Sequence, residues 1–131
     1  MSQDLESYAR SLGQTARRAS MGLALSSGRQ RTDALLTIAD RIRRNSEAIV
    51  SENAKDLSAG RESGLSSAMM DRLKLDGDRI AKMAKAVADV AQQVDPVGQI
   101  IEGWVRPNGL RIEKRRVPIG VVAIIYEARP N

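Results

Sequence analysis

Two stretches of this sequence carry side chains suited to chemistry. RIEKRR, residues 111–116, sets Arg111, Lys114, Arg115 and Arg116 around a single acid, Glu113. Clustered Lys and Arg attract phosphates, and the same composition protects the edge of a sheet from pairing with another chain. Both readings fit these six residues. The second stretch is PIGVVAIIYEARPN, residues 118–131. It runs through Val121, Val122, Ile124 and Ile125 and turns polar at Tyr126, Glu127 and Arg129, the pattern of a buried strand entering a site.

The absent residue types limit what these stretches can do. The sequence contains neither Cys nor His. That excludes from these residues a disulfide framework, a Cys or His metal site, a Cys nucleophile and a His-based triad. The net charge of +5 and the pI near 10.1 point either to an acidic partner or to solvated, dipole-matched helix faces. Most bases are interleaved with acids. Arg41, Arg43 and Arg44 sit at the end of a helical stretch, where positive charge is favoured. No stretch approaches the roughly 18 consecutive apolar residues of a membrane span, and MSQDLESYAR has acids where a signal peptide has a basic run. A cytoplasmic protein is expected.

A length of 131 residues with 42% hydrophobic content suits one ordinary domain. Its aromatics are Tyr8, Trp104 and Tyr126, with no Phe, so a helical core must pack on aliphatic residues and Met. Pro96, Pro107, Pro118 and Pro130 divide the chain, because nothing before residue 96 is barred from helix.

Leu5, Tyr8, Leu12, Ala16, Ala19 and Leu23 recur at spacings of three and four, predicting a helix that ends near Ser26, Ser27 and Gly28. A second is expected from about Gln30 to Arg44. A third follows Ser46 as N-cap and is broken by Gly60 and Gly64, and a mobile connection over Asp56–Gly77 contains a helical turn around 66–72. Asp76 or Asp78 starts the last helix, whose Ile80, Met83, Ala84, Val87, Val90 and Val94 keep the spacing. After Pro96 the period changes to two. Residues 100–106 and 110–116, joined by Pro107-Asn108-Gly109, predict a hairpin whose Asn-Gly pair takes positive φ.

At this point the sequence resembles a known family. DRLKLDGDRI at 71–80 and DPVGQIIEGWVRPNGLRIEKRRVPIGVVAIIYEARPN from 95 onward are similar to the gamma-glutamyl phosphate reductase (glutamate-5-semialdehyde dehydrogenase) family of the aldehyde dehydrogenase superfamily. The resemblance implies an α/β fold of aldehyde dehydrogenase type. Residues 1–95 would be the helical part of the cofactor-binding domain, 96–117 a hairpin of the oligomerisation region, and 118–131 the first strand of a Rossmann-like domain. It also implies that the chain corresponds to the N-terminal portion of a longer enzyme whose nucleophilic Cys lies beyond Asn131.

The reaction so implied is the reductive step of L-proline biosynthesis. A Cys thiolate displaces phosphate from L-glutamyl 5-phosphate, and NADPH delivers hydride to the resulting thioester, releasing L-glutamate 5-semialdehyde. Residues beyond a strand's carboxyl end meet ligands in an open parallel sheet. By resemblance Ile125 and Tyr126 would line the nicotinamide end of NADP(H), Arg129 would meet the acyl phosphate, and Asn131 would donate to the oxyanion. The family also implies a homo-oligomer, with glutamate 5-kinase as pathway neighbour. The competing class is a small basic helical protein that binds nucleic acid or an acidic partner through RIEKRR. GVVAII separates the two, because a ribbon-type binder has no use for so apolar a strand.

Overall fold

A computed structural model of the chain describes residues 2–125. The element order is α1 Ser2–Leu25, α2 Gly28–Arg44, α3 Ser46–Glu62, α4 Ser67–Leu73, α5 Gly77–Ala91, β1 Ile100–Val105 and β2 Arg111–Arg115. Among the described residues, one compact body holds 2–31 and 94–123, and another holds 32–93 with 124–125.

The core belongs to the second body, where Ala39, Ile80 and Ala84 are almost wholly buried and Ala91 nearly so. Small side chains fill it because α3 packs closely on α4 and α5. Gly60 shows how closely. A Cβ at this position would stand 3.0 Å from Leu65 Cδ1, 3.0 Å from Met70 Sδ and 3.3 Å from Leu73 Cδ2. The expected break at Gly60 is thus absent, since the residue is a buried helix–helix contact and α3 continues to Glu62. Gly64, at φ +72°, does end the helix. Its N–H donates to Arg61 O and Leu65 N–H to Gly60 O, both at 3.0 Å, the crossed pattern of a Schellman motif.

Caps locate the other helix ends. Ser66 accepts from Met69 N–H, and Asp76 accepts from Arg79 N–H at 2.9 Å. That N–H, with Lys74 and the Arg79 charge behind it, holds the Asp76 carboxyl below its ordinary range. Ser46 is not the cap of α3. Asn45 occupies that position, but its side-chain amide turns back to Arg41 O at 2.7 Å instead of capping. The connection expected to be mobile is fixed by two polar clamps. Asn53, 4% exposed, donates from Nδ2 to Leu73 O at 3.0 Å and accepts at Oδ1 from Leu75 N–H at 2.7 Å. Arg79 reaches Asp71 Oδ1 and Lys74 O, both at 2.8 Å.

In the first body α1 ends as Ser26 turns back, its N–H and hydroxyl both donating to Leu23 O. Gly28 does not cap α1 but opens α2, and its φ is not among the positive ones. Strands β1 and β2 pair antiparallel with Glu102 opposite Lys114 and Trp104 opposite Ile112. The pairing shifts between Ile100 and Glu102, leaving Ile101 as a bulge residue that increases the local twist.

The hairpin turn differs from the expected one. Gly109 N–H donates to Arg106 O and Arg106 N–H to Leu110 O, both at 2.9 Å, and positive φ at the turn is confined to Gly109. Pro107 at the first corner, its φ locked near −65°, selects a type I turn followed by a glycine bulge. Asn108 stays at negative φ and accepts instead from Leu110 N–H at 3.2 Å.

Residues 116–125 carry no regular secondary structure, so the strand expected from 118 is not formed where the chain is described. Val122 and Ile124 are largely exposed and Ile125 wholly so. The reason is that a strand is defined by its ladder, and no described segment pairs with this one. Among the described residues the only sheet is the two-stranded antiparallel hairpin.

Candidate functional site

The first body carries an open groove of about 490 Å³, lined by Leu23, Arg31, Val97, Arg116 and Ile119 with their neighbours. This volume lies within the range of small-molecule sites, about 300–1,000 Å³. Local sequence builds its edge. Ser27 and Gln30 form a capping box at the start of α2: Gln30 N–H donates to Ser27 Oγ at 3.2 Å and Ser27 N–H to Gln30 Oε1 at 2.8 Å. The box fixes the first turn of α2 and so aims Arg31.

Arg31 grips Asp95 through Nη2 at 2.6 Å and Nε at 2.9 Å, both to Oδ2. Its Nη1 donates to Ser26 O and, at 3.2 Å, to Ser26 Oγ. The other carboxylate oxygen of Asp95 accepts from Val97 N–H at 2.9 Å. Val97 N–H first, and the Arg31 guanidinium second, hold the Asp95 carboxyl below its ordinary range. Gly28 is what lets the carboxylate in, because a Cβ there would lie 2.9 Å from Asp95 Oδ2.

The groove therefore has structural rather than catalytic chemistry. Arg31 is fully engaged, and the Ser20 hydroxyl donates to Arg17 O at 2.8 Å. Arg116 is the remaining cation on a predominantly apolar wall. No group of three or more metal-ligating side chains occurs among the described residues. In the hairpin Lys114 stands opposite Glu102, and Arg115 pairs with Glu113 at 2.6 Å.

Of the residues predicted to form a site, Ile125 is described and stands fully exposed. Tyr126, Arg129 and Asn131 lie outside the described residues. The described residues thus do not form a nicotinamide site, and no step through NADP(H) is derived from them. The Arg31–Asp95 pair and Asn53 went unmarked in the sequence. Ser-x-x-Gln at 27–30 is a signal for the first, whereas Asn53 has none, since a polar residue in an amphipathic helix ordinarily faces water.

Among known proteins, the chain is 53% identical over 120 residues to gamma-glutamyl phosphate reductase of Rhodospirillum rubrum, covering 92% of this chain and 28% of the relative. It is 46% identical over 130 residues to the enzyme of the same name from Paramagnetospirillum magneticum, covering 99% of this chain and 31% of the relative. The crystal structure of gamma-glutamyl phosphate reductase from Thermotoga maritima superposes with a TM-score of 0.79 at 37% identity, over 81% of this chain and 26% of the other. That from Saccharomyces cerevisiae gives 0.70 at 33% identity, over 76% and 26%. No family model matches. The described elements include no helix long and apolar enough to cross a membrane. The chain spans less than a third of the length of these two curated relatives, and over that span it carries the sequence and fold of the N-terminal portion of the gamma-glutamyl phosphate reductase family.

Proposed function

We propose that this chain serves as the N-terminal portion of an NADPH-dependent reductase that converts L-glutamyl 5-phosphate to L-glutamate 5-semialdehyde and phosphate in L-proline biosynthesis. The observation that carries this reading is identity of about half over nearly the whole chain with proteins bearing that name, joined to the same fold in a solved relative. In the assembled enzyme, of aldehyde dehydrogenase type, Val121–Ile125 becomes a strand once neighbours supply its ladder. That accounts for an apolar run left exposed in this chain. Ile125 and Tyr126 then border the nicotinamide, Arg129 the acyl phosphate, and Asn131 the developing oxyanion. The enzyme is a cytoplasmic homo-oligomer joined through the hairpin region, with glutamate 5-kinase as its pathway neighbour. Identity of about half over nearly the whole chain with reductases favours this reading over the nucleic-acid one.

A chimera tests the proposal. The corresponding N-terminal segment of the Rhodospirillum rubrum reductase is replaced by residues 1–131 of this chain, and NADPH oxidation is followed with enzymatically generated glutamyl phosphate. Substrate-dependent turnover near that of the parent is expected. A chimera that melts cooperatively at the parent's temperature yet does not turn over would overturn the reading.

A further inference from the structure

The hairpin is anchored at its open end. Asp95, gripped by Arg31, accepts at its second carboxylate oxygen from Val97 N–H at 2.9 Å, and its backbone carbonyl accepts from Gln99 Nε2 at 3.0 Å. Gln99 N–H closes a tight turn onto Pro96 O at 3.2 Å. That turn holds the chain just past β2, where Gly98 N–H donates to Arg116 O at 2.9 Å and Arg116 N–H to Gln99 O at 3.0 Å. There the ladder stops. Pro118 has no N–H to continue it, and it confines Val117 to extended backbone.

Between this fixed end and the apolar run of 121–125 stands Gly120, at φ +94°, and a Cβ there would meet nothing within 4 Å. Space therefore does not call for glycine at this position. The backbone does, because L side chains rarely adopt such a φ. We infer that Gly120 is a positioning residue, whose positive φ sets the direction in which residues 121–125 leave the clamped hairpin and so where the residues after them stand in the assembled reductase. This rests on the reading of 121–125 as a strand of that enzyme. Ladder bonds require each N–H to face its acceptor, so a short run turned at its first residue cannot meet its neighbours in register. The requirement ranks substitutions by backbone preference instead of size: Asn visits positive φ several-fold more readily than other side chains, and β-branched Val is the least suited.

The chimera that carries residues 1–131 tests this, read by amide hydrogen exchange over 121–125 and by turnover of glutamyl phosphate. Gly120→Ala should speed exchange over 121–125 several-fold while α1 and α5 exchange as in the unsubstituted chimera. Its kcat should fall by about 10-fold, since a misplacement of about 1 Å can cost about 10²-fold. Gly120→Asn, though larger, should stay closer to the unsubstituted chimera on both measures, and Gly120→Val should be the most damaging. A ranking by size, with Gly120→Ala milder than Gly120→Asn, overturns the inference. So does faster exchange spread evenly over the chain, which is general loss of stability, or exchange over 121–125 that none of the three variants alters. Failure of both the Ala and the Asn variants to fold overturns it as well. Exchange needs no turnover, so an unsubstituted chimera that protects 121–125 yet is inactive speaks against the reductase function alone, and the ranking of the variants still decides the role of Gly120.

Discussion

Arg31 and Asp95, 64 residues apart in sequence, are joined by two hydrogen bonds to one carboxylate oxygen, tying the first turn of α2 to the residue that leads into the hairpin. Both side chains keep partial exposure, 24% and 30%, so the pair acts by fixing geometry more than by Coulomb attraction.

Asp95→Asn should lower the melting temperature at neutral pH, and the deficit should vanish in acid. The sign follows from the depressed carboxyl. The folded state holds the proton less tightly than the unfolded chain, whose aspartates titrate near about 3.9. The stabilisation is complete above that value and is lost as pH falls through the depressed one. Thermal melts of both proteins from pH 7 downward check this. Parallel curves at every pH would remove Asp95 as a contributor.

Replacing Asn53 strands Leu73 O and Leu75 N–H together. Asn53→Ala should destabilise by about 2 kcal/mol or more, since an unsatisfied buried group costs about 1–3 kcal/mol. Asn53→Asp keeps the acceptor but turns a carboxylate oxygen toward Leu73 O in a buried site, and at neutral pH should cost at least as much. Urea unfolding followed by far-UV circular dichroism measures both. A midpoint within error of the parent would show that water takes the place of the amide.

The glycines separate packing from propensity. Gly13 has no neighbour within 4 Å of a built Cβ, so Gly13→Ala should stabilise α1 by about 0.5–1 kcal/mol. Gly60→Val drives a branched side chain into Leu65, Met70 and Leu73 and should cost about 1–3 kcal/mol. Equal effects at the two positions in thermal melts would contradict the close packing of α3 on α4.

Asn131 can be tested in the chimeric enzyme. As an oxyanion donor its replacement by Ala should lower kcat by roughly 10²-fold with KM for NADPH nearly unchanged, because such donors act in the transition state. As a turn cap it should instead cost about 1 kcal/mol of stability with normal turnover. The isolated chain, without a Cys, should show no NADPH oxidation above a buffer blank in either reaction direction.

Local chemistry made much of the fold legible in advance. Apolar spacing of three and four marks α1, α2 and α5, Ser66 and Asp76 cap where a short polar side chain precedes an apolar run, and period-two alternation around Pro107-Asn108-Gly109 marks the hairpin. These signals need only neighbours in sequence. The family, too, was legible, because NGLRI, VPIGVV and YEARPN are specific as strings. Tertiary structure decided what depends on distant partners. Gly60 is a packing contact because α4 folds against it, Gly28 admits the Asp95 carboxylate because it has no Cβ, and Asn53 is buried because two backbone groups 20 and 22 residues away need it. Val121–Ile125 reads as a buried strand from its composition, yet its conformation is set by whether another strand offers N–H and C=O groups to pair with. That pairing is a property of neighbours in space, which no string of apolar residues contains.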